Sequence, residues 1–295
     1  YAAYLAITAY AGQMGSGYAL AVLVPVLVLH SSLQHEFIHG HPTRYQWLND
    51  LLVSPAIGLL VPYLRFKDMH LAHHHDPNLT DPYDDPESNF LDPVVWSRLP
   101  KWRQVLCNFN NTLFGRMLIG PALGLLCFYS KDMSDLVRGN RRIAFSYGNH
   151  LLGLLPICAW HLSVSTLPLW AYGIAAYVAI SVLKIRTFLE HKAHERASAR
   201  TVLIEDGGIL SFLFLNNNYH AIHHSHPGLV WHKLPEKFHS QSEYYLRRNG
   251  GYWYKSYGQV LRLYFFTRKD PVAHPLMDRN GQQDQAVRDS EGLVT

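Results

Sequence analysis

Charge is scarce in this chain. Only 16% of its 295 residues are charged, and the formal net charge is +4 with histidine neutral. So mild a basic excess does not make a nucleic-acid binder, which needs a strongly basic face. Cysteine is scarce as well: Cys107, Cys127 and Cys158 lie far apart and form no CxxC pair. That excludes a built-in rubredoxin or zinc ribbon and suits a reducing compartment. Long apolar runs are few, and a mean hydropathy of -0.07 averages over apolar stretches that alternate with His- and Arg-rich blocks. The chain opens at Tyr1 inside an apolar run, with neither Met nor signal-peptide grammar, which places the true N-terminus upstream. No linker divides it. Residues 1–280 read as a single membrane domain, and residues 281–295 as a disordered C-terminal tail.

Histidine is what the chain has in quantity, with 19 residues. Asn216-Asn217-Asn218-Tyr219 leads into His220-Ala221-Ile222-His223-His224, and the same spacing occurs at His70-Leu71-Ala72-His73-His74. A third cluster, His35-Glu36-Phe37-Ile38-His39, puts two more at i and i+4. Composition alone predicts roughly 0.08 HxxHH occurrences per chain, so two copies beside an HxxxH are not background. At i, i+3 and i+4, one helical turn is expected to point three imidazoles to the same side.

Neutral imidazole binds Zn, Fe, Cu and Ni, so the ligand type does not name the metal. The number of ligands says more. The boxes offer His35, His39, His70, His73, His74, His220, His223 and His224, with His191 as a ninth. One tetrahedral zinc takes four ligands, so this set implies two metals. Two irons held by imidazoles would bind and reductively activate dioxygen. Bound histidines donate their other N–H to carboxylates, for which Glu36, Asp76, Asp81 and Glu190 are the candidates. His41, His75, His194 and His226 stand near the boxes as further, weaker ligand candidates.

Four segments read as membrane helices. Residues 1–11 would end a first span, since about 20 residues are needed to cross. Gly12 to Gly17 turns the chain, and a second helix starts at Tyr18, tolerates Pro25 and lifts the first box out of the bilayer. Residues 51–64 and 114–129 are short and broken by Pro, so they lie along the interface. Residues 147–164 and 167–183 form a second hairpin. Its Ser165-Thr166 turn is uncharged, while Arg141-Arg142 and Lys184 to Arg186 flank it, so the basic ends face the cytoplasm. Helical continuation past Leu183 carries His191 towards the other boxes, and Ile209 to Leu215 delivers the third box.

Two rival readings share these residues. His35-Glu36-Phe37-Ile38-His39 is literally HExxH, the signature of a zinc protease with Glu36 as general base. It leaves both HxxHH boxes and His191 unexplained. A non-enzymatic histidine-rich metal-binding membrane protein is the other rival. Arg138, Arg141, Arg142, Arg196, Arg200, Arg247 and Arg248 would dock an acidic redox partner or touch anionic lipid.

Taken together, HxxxH at a helix end, HxxHH, and a second HxxHH after a further hairpin resemble the membrane-bound fatty acid desaturase and hydroxylase superfamily. The likeness runs from about His35 to Pro235. Finer features resemble bacterial desaturase-like members: His35 to His41, Arg186-Thr187-Phe188-Leu189-Glu190-His191, and Asn216 to His224. The resemblance implies an all-α integral membrane fold, with about four transmembrane helices in two hairpins, interfacial helices, and a cytosolic histidine-rich cap. It implies two iron ions, O2 as co-substrate, a fatty acyl or other lipid-like chain as substrate, and an external ferredoxin, rubredoxin or cytochrome b5 as electron donor. For a bacterial protein it implies the inner membrane, with the boxes facing the cytoplasm. The sequence departs at Thr187, where acyl-CoA desaturases carry Asn four residues before the helix-four histidine; a shifted register would set Glu190 before His194 instead.

Overall fold

The computed structural model describes residues 1–277; the tail expected from Gly281 onward lies outside the described residues. The protein is mostly helical. Helix α1 (Ala2–Met14) stops at Gly15, whose φ of 80° suits glycine, and α2 (Ser16–Ile38) begins at the next residue. Pro25 lies inside α2 without ending it. The chain then makes α3 (Gln46–Val53), an irregular stretch, and α4 (Tyr63–His75). Residues 51–64 are therefore no continuous helix, because Pro55 and Pro62 interrupt them.

An acidic loop leads to α5 (Pro93–Arg98), where Asp92 caps the first turn by accepting from the Val94 and Val95 amides. Next come α6 (Lys101–Asn110), α7 (Leu113–Leu118) and α8 (Gly120–Val137). Asn140 then caps the long helix α9 (Arg141–Ser163), and α10 (Leu169–Thr187) follows a short turn. The remainder is a cap of short pieces: β1 (Leu203–Ile204), α11 (Ile209–Leu213), α12 (His220–Ser225), α13 (Leu234–Ser240), α14 (Ser242–Arg248), β2 (Trp253–Tyr254) and α15 (Tyr257–Tyr264). The two strands pair in parallel, Leu203 with Trp253.

The core centres on α2 against α10. Ala19, Leu23 and Leu27 of α2 and Ala171, Ala175 and Ala179 of α10 are buried in one cluster, and the alanines let the backbones approach closely. Two helices, Ser16–Ile38 and Leu169–Thr187, are long and apolar enough to cross a membrane. Helix α4 is pinned by ion pairs instead. Arg65 donates to both oxygens of Asp132 on α8, at 2.8 and 2.6 Å, and Arg142 on α9 pairs with Asp68. These links fix the helix that carries the second histidine box.

Candidate metal centre

Nine imidazoles converge where α2, α4, α12 and the loop after α10 meet. They form two groups. His35, His39, His70, His74 and His223 make one; His73, His191, His220 and His224 make the other. Within each group the nearest ring nitrogens all lie within 4.8 Å of one another. Each HxxHH box is divided between the groups, contrary to the expectation that one turn points all three rings the same way. On a helix, i and i+4 differ by about 40°, while i+3 lies about 60° to the other side. His70 and His74 therefore face one group while His73 faces the other, and His220 and His224 part from His223 in the same manner.

His191 joins the second group, but not by helical continuation. Helix α10 ends at Thr187, and His191 sits in an extended segment that forms an antiparallel bridge with Thr201. Three backbone bonds define that path: Phe188 N–H closes on Lys184 O, Val202 N–H donates to Glu190 O, and Lys192 N–H donates to Arg200 O. The expected run of helix to His194 is thus corrected. His194 accepts from the Arg196 amide, outside both groups. His41, His75 and His226 stand apart too; His41 contacts Gly228 O and His226 contacts Tyr245 OH.

Three side-chain oxygens decide which ring nitrogen is free. Asp85 accepts from His73 Nδ1 at 2.8 Å, Glu87 from His70 Nδ1 at 3.2 Å, and the Asn217 side-chain oxygen from His220 Nδ1 at 3.1 Å. Asn217 donates onward to Glu190, which also pairs with Arg186 at 3.0 Å and lies 3.8 Å from His220 Nδ1. Of the four carboxylates singled out from sequence, only Glu190 comes near an imidazole of the groups. Glu36 instead accepts from the Trp231 amide at 3.1 Å, and Asp76 and Asp81 receive loop amides. Asp85, Glu87 and Asn217 were not singled out. Their signal was present, since the acidic loop follows the second box and the Asn triplet precedes the third.

In the neutral ring, with Nδ1–H bonded to oxygen, Nε2 of His70, His73 and His220 is a lone pair free to bind a cation. Yet His70 Nε2 lies 3.0 Å from His39 Nε2, His73 Nε2 lies 2.9 Å from His191 Nε2, and His220 Nε2 lies 3.1 Å from His224 Nε2. Ring nitrogens facing each other at that range are held by a proton on one of them or by a shared metal cation. Two nitrogens bound at about 2.1 Å and at right angles to one metal stand about 3 Å apart. His35 Nε2 is buried and has no hydrogen-bond partner among the described residues. The residues present therefore fit one metal ion in each group.

Electrostatics favour the neutral ligand form for most of the set. Burial, reinforced by neighbouring imidazoles, pushes His39 down to about 3 and His74 down to about 2. It holds His191, His220, His223 and His224 well below the ordinary value. His73 is the exception: burial opposes its charge, but Glu87 and Asp85 outweigh that and lift it to about 9. Burial also raises Glu190.

A family model described as Fatty acid desaturase matches residues 14–256, which include all nine histidines of the two groups. No curated protein matches the chain.

Proposed function

The chain belongs to the fatty acid desaturase family, and from that premise we propose that it is a membrane di-iron oxidoreductase that uses O2 to desaturate or hydroxylate an unactivated C–H site of a fatty acyl or other lipid-like chain. The observation that carries the reading is the division of nine imidazoles into a five- and a four-membered group around two points. Iron bound at those points would supply reductive activation of dioxygen, chemistry that serves desaturation and hydroxylation alike. His35, His39, His70, His74 and His223 would hold one iron, and His73, His191, His220 and His224 the other.

The chain's own residues prepare the site. Asp85, Glu87 and Asn217 hold three rings with Nε2 turned inward. Burial of His35, His70, His73, His220 and His223 keeps bulk water from the centre. Glu36 is engaged with the Trp231 amide, and its two flanking histidines belong to a larger cluster, which disfavours the zinc-protease reading. Because the chain has no CxxC motif, we infer an external electron donor of ferredoxin, rubredoxin or cytochrome b5 type.

We infer four spans, α1, α2, α9 and α10, in one membrane domain of residues 1–280. Support for α9 comes from Phe145, Leu151, Leu152, Leu155 and Leu162, large apolar side chains left exposed along its length. The histidine boxes would face the cytoplasm of a bacterial inner membrane, by the basic flanks of the α9–α10 hairpin. The test is metal analysis joined to oxygen uptake. Two irons per chain and reductase-dependent oxidation of an acyl chain support the reading; one zinc with peptidase activity, or readily exchangeable metal with no oxygen consumption, overturns it.

A further inference from the structure

Beside the metal groups, α7, α8 and α10 pack together, and two cations, Arg116 and Lys184, lie over a glycine trough on the face of α8. The floor is α8, where Gly120 and Gly124 lie one turn apart on one face. A Cβ at Gly120 would stand 3.0 Å from Arg116 Cδ, and one at Gly124 would stand 3.8 Å from Lys184 Nζ. Both side chains thus lie over the stretch where α8 has none. Arg116 is 5% exposed; its guanidinium donates to Asn110 O at 2.8 Å and to the Asn89 side chain, and meets no carboxylate among the described residues. Lys184, also partly buried, has no side-chain hydrogen bond or ion pair among the described residues. The neighbouring cations differ: Arg186 has Glu190 and Lys269 has Asp270 as a partner.

Buried charge without a counterion is costly. Burial already pulls Arg116 down to about 10, and metal cations in the histidine groups would add to the positive field. The trough also adjoins the segment that carries His191. The Arg116 guanidinium lies 5.9 Å from the Phe188 ring, and Lys269 donates to the His191 carbonyl.

We propose that Arg116 and Lys184 form an anion site that anchors the carboxylate of a free acyl substrate, so that the oxidised carbon is counted from the carboxyl end. The substrate is then a free acid and not a neutral ester or hydrocarbon. This assignment rests on the oxygenase reading for its chemistry, but its binding step does not require turnover.

The experiment titrates the purified protein, in non-ionic detergent and without reductant, with dodecanoate and with methyl dodecanoate by calorimetry. The acid should bind about tenfold or more tighter than the ester. Lys184→Gln should remove that preference and leave ester binding unchanged, while Lys184→Arg keeps it. Gly124→Leu, which fills the trough from its floor without altering either charge, should weaken acid binding as well. Equal affinities for acid and ester in the unaltered protein, or an undiminished preference in both Lys184→Gln and Gly124→Leu, would overturn the proposal. So would displacement of the acid by tighter-binding phosphatidylglycerol, which would mark a lipid-headgroup site. With free acids of increasing chain length, a product position constant from the methyl end contradicts the anchor. Absence of any oxygen uptake with an intact acid preference would sink the oxygenase reading and leave the anion site standing.

Discussion

The five-histidine group takes His35 from α2, His39 from its C-terminal cap, His70 and His74 from α4, and His223 from α12. The four-histidine group takes His73 from α4 and His220 and His224 from α12, but its fourth member, His191, comes from a loop. Outer support differs in the opposite sense. Among the described residues, only His70 of the larger group reaches an acid, Glu87, whose side chain is 27% exposed. The smaller group has Asp85, Asn217 and Glu190, all buried. Those outer groups hold the helix-borne rings of His73 and His220. The loop-borne His191 has a buried Nδ1 with no hydrogen-bond partner among the described residues, so its position rests on its backbone path.

Removing a ligand gives the largest effect on either side of this contrast. His39→Ala and His223→Ala should each deplete the metal of the five-histidine group, and His73→Ala that of the four-histidine group, with activity falling to background in all three. Iron counting by mass spectrometry checks this. Normal turnover and iron content in all three variants would break the two-metal reading. His191→Ala should behave as His73→Ala does, whereas His194→Ala, outside both groups, should stay near normal.

The outer acids come next. Loss of a group that orients a ligand typically costs 10- to 100-fold in metal affinity or activity. Asp85→Asn should fall near the upper end, because Asp85 is buried, bonds His73 Nδ1 at 2.8 Å and also receives the Thr80 amide. Glu87→Gln should fall near the lower end, since its bond to His70 is longer and partly exposed. Competitive chelation titrations rank the two. A larger loss in Glu87→Gln would reverse the supposed division of labour.

Acidity should separate the groups as well. Metal binding requires neutral imidazole. His73 is lifted to about 9 in the metal-free protein, so below that value a proton must leave before it can bind a cation. Uptake by the four-histidine group should therefore strengthen as pH rises from about 6.5 to 9. His39, down at about 3, and His74, down at about 2, are already neutral throughout that window, so they give the five-histidine group no such slope. Stepwise metal titration at several pH values reads this out, and equal slopes for both equivalents would contradict it.

Much of this site was legible from sequence, and particular residues show where legibility ended. The helical boxes at His70–His74 and His220–His224 were readable because their spacing is local. Their division between two groups was implicit in the same 100° per residue, but the sequence does not say which elements face each side of a turn. His191 was identified as a ninth candidate, yet its route was misread. No Gly or Pro intervenes after Leu183, and what ends α10 is non-local pairing with residues 200–202. Asp85 and Glu87 escaped notice because turns at Asp81 and Asp85 fold the acidic loop back onto α4. Of the expected four spans, α2 and α10 are long and apolar enough by themselves, while α1 and α9 rest on the proposed membrane arrangement.

The smallest expected effect tests the loop-built side of the comparison from a distance. Tyr252, 6% exposed, donates its hydroxyl to Leu189 O at 2.6 Å, two residues before His191. Tyr252→Phe keeps the ring and strips that carbonyl of its partner, a loss that costs about 1–3 kcal/mol for a buried group. Part of the cost should appear as a looser path through Leu189 to His191, and so as weaker metal binding in the four-histidine group alone. The five-histidine group shares no backbone with this segment and should bind unchanged. Stepwise metal affinities of Tyr252→Phe decide the matter. A several-fold loss confined to one equivalent supports a loop-dependent site, whereas equal losses in both equivalents would mean that the whole cap has loosened and that the two groups are not held independently.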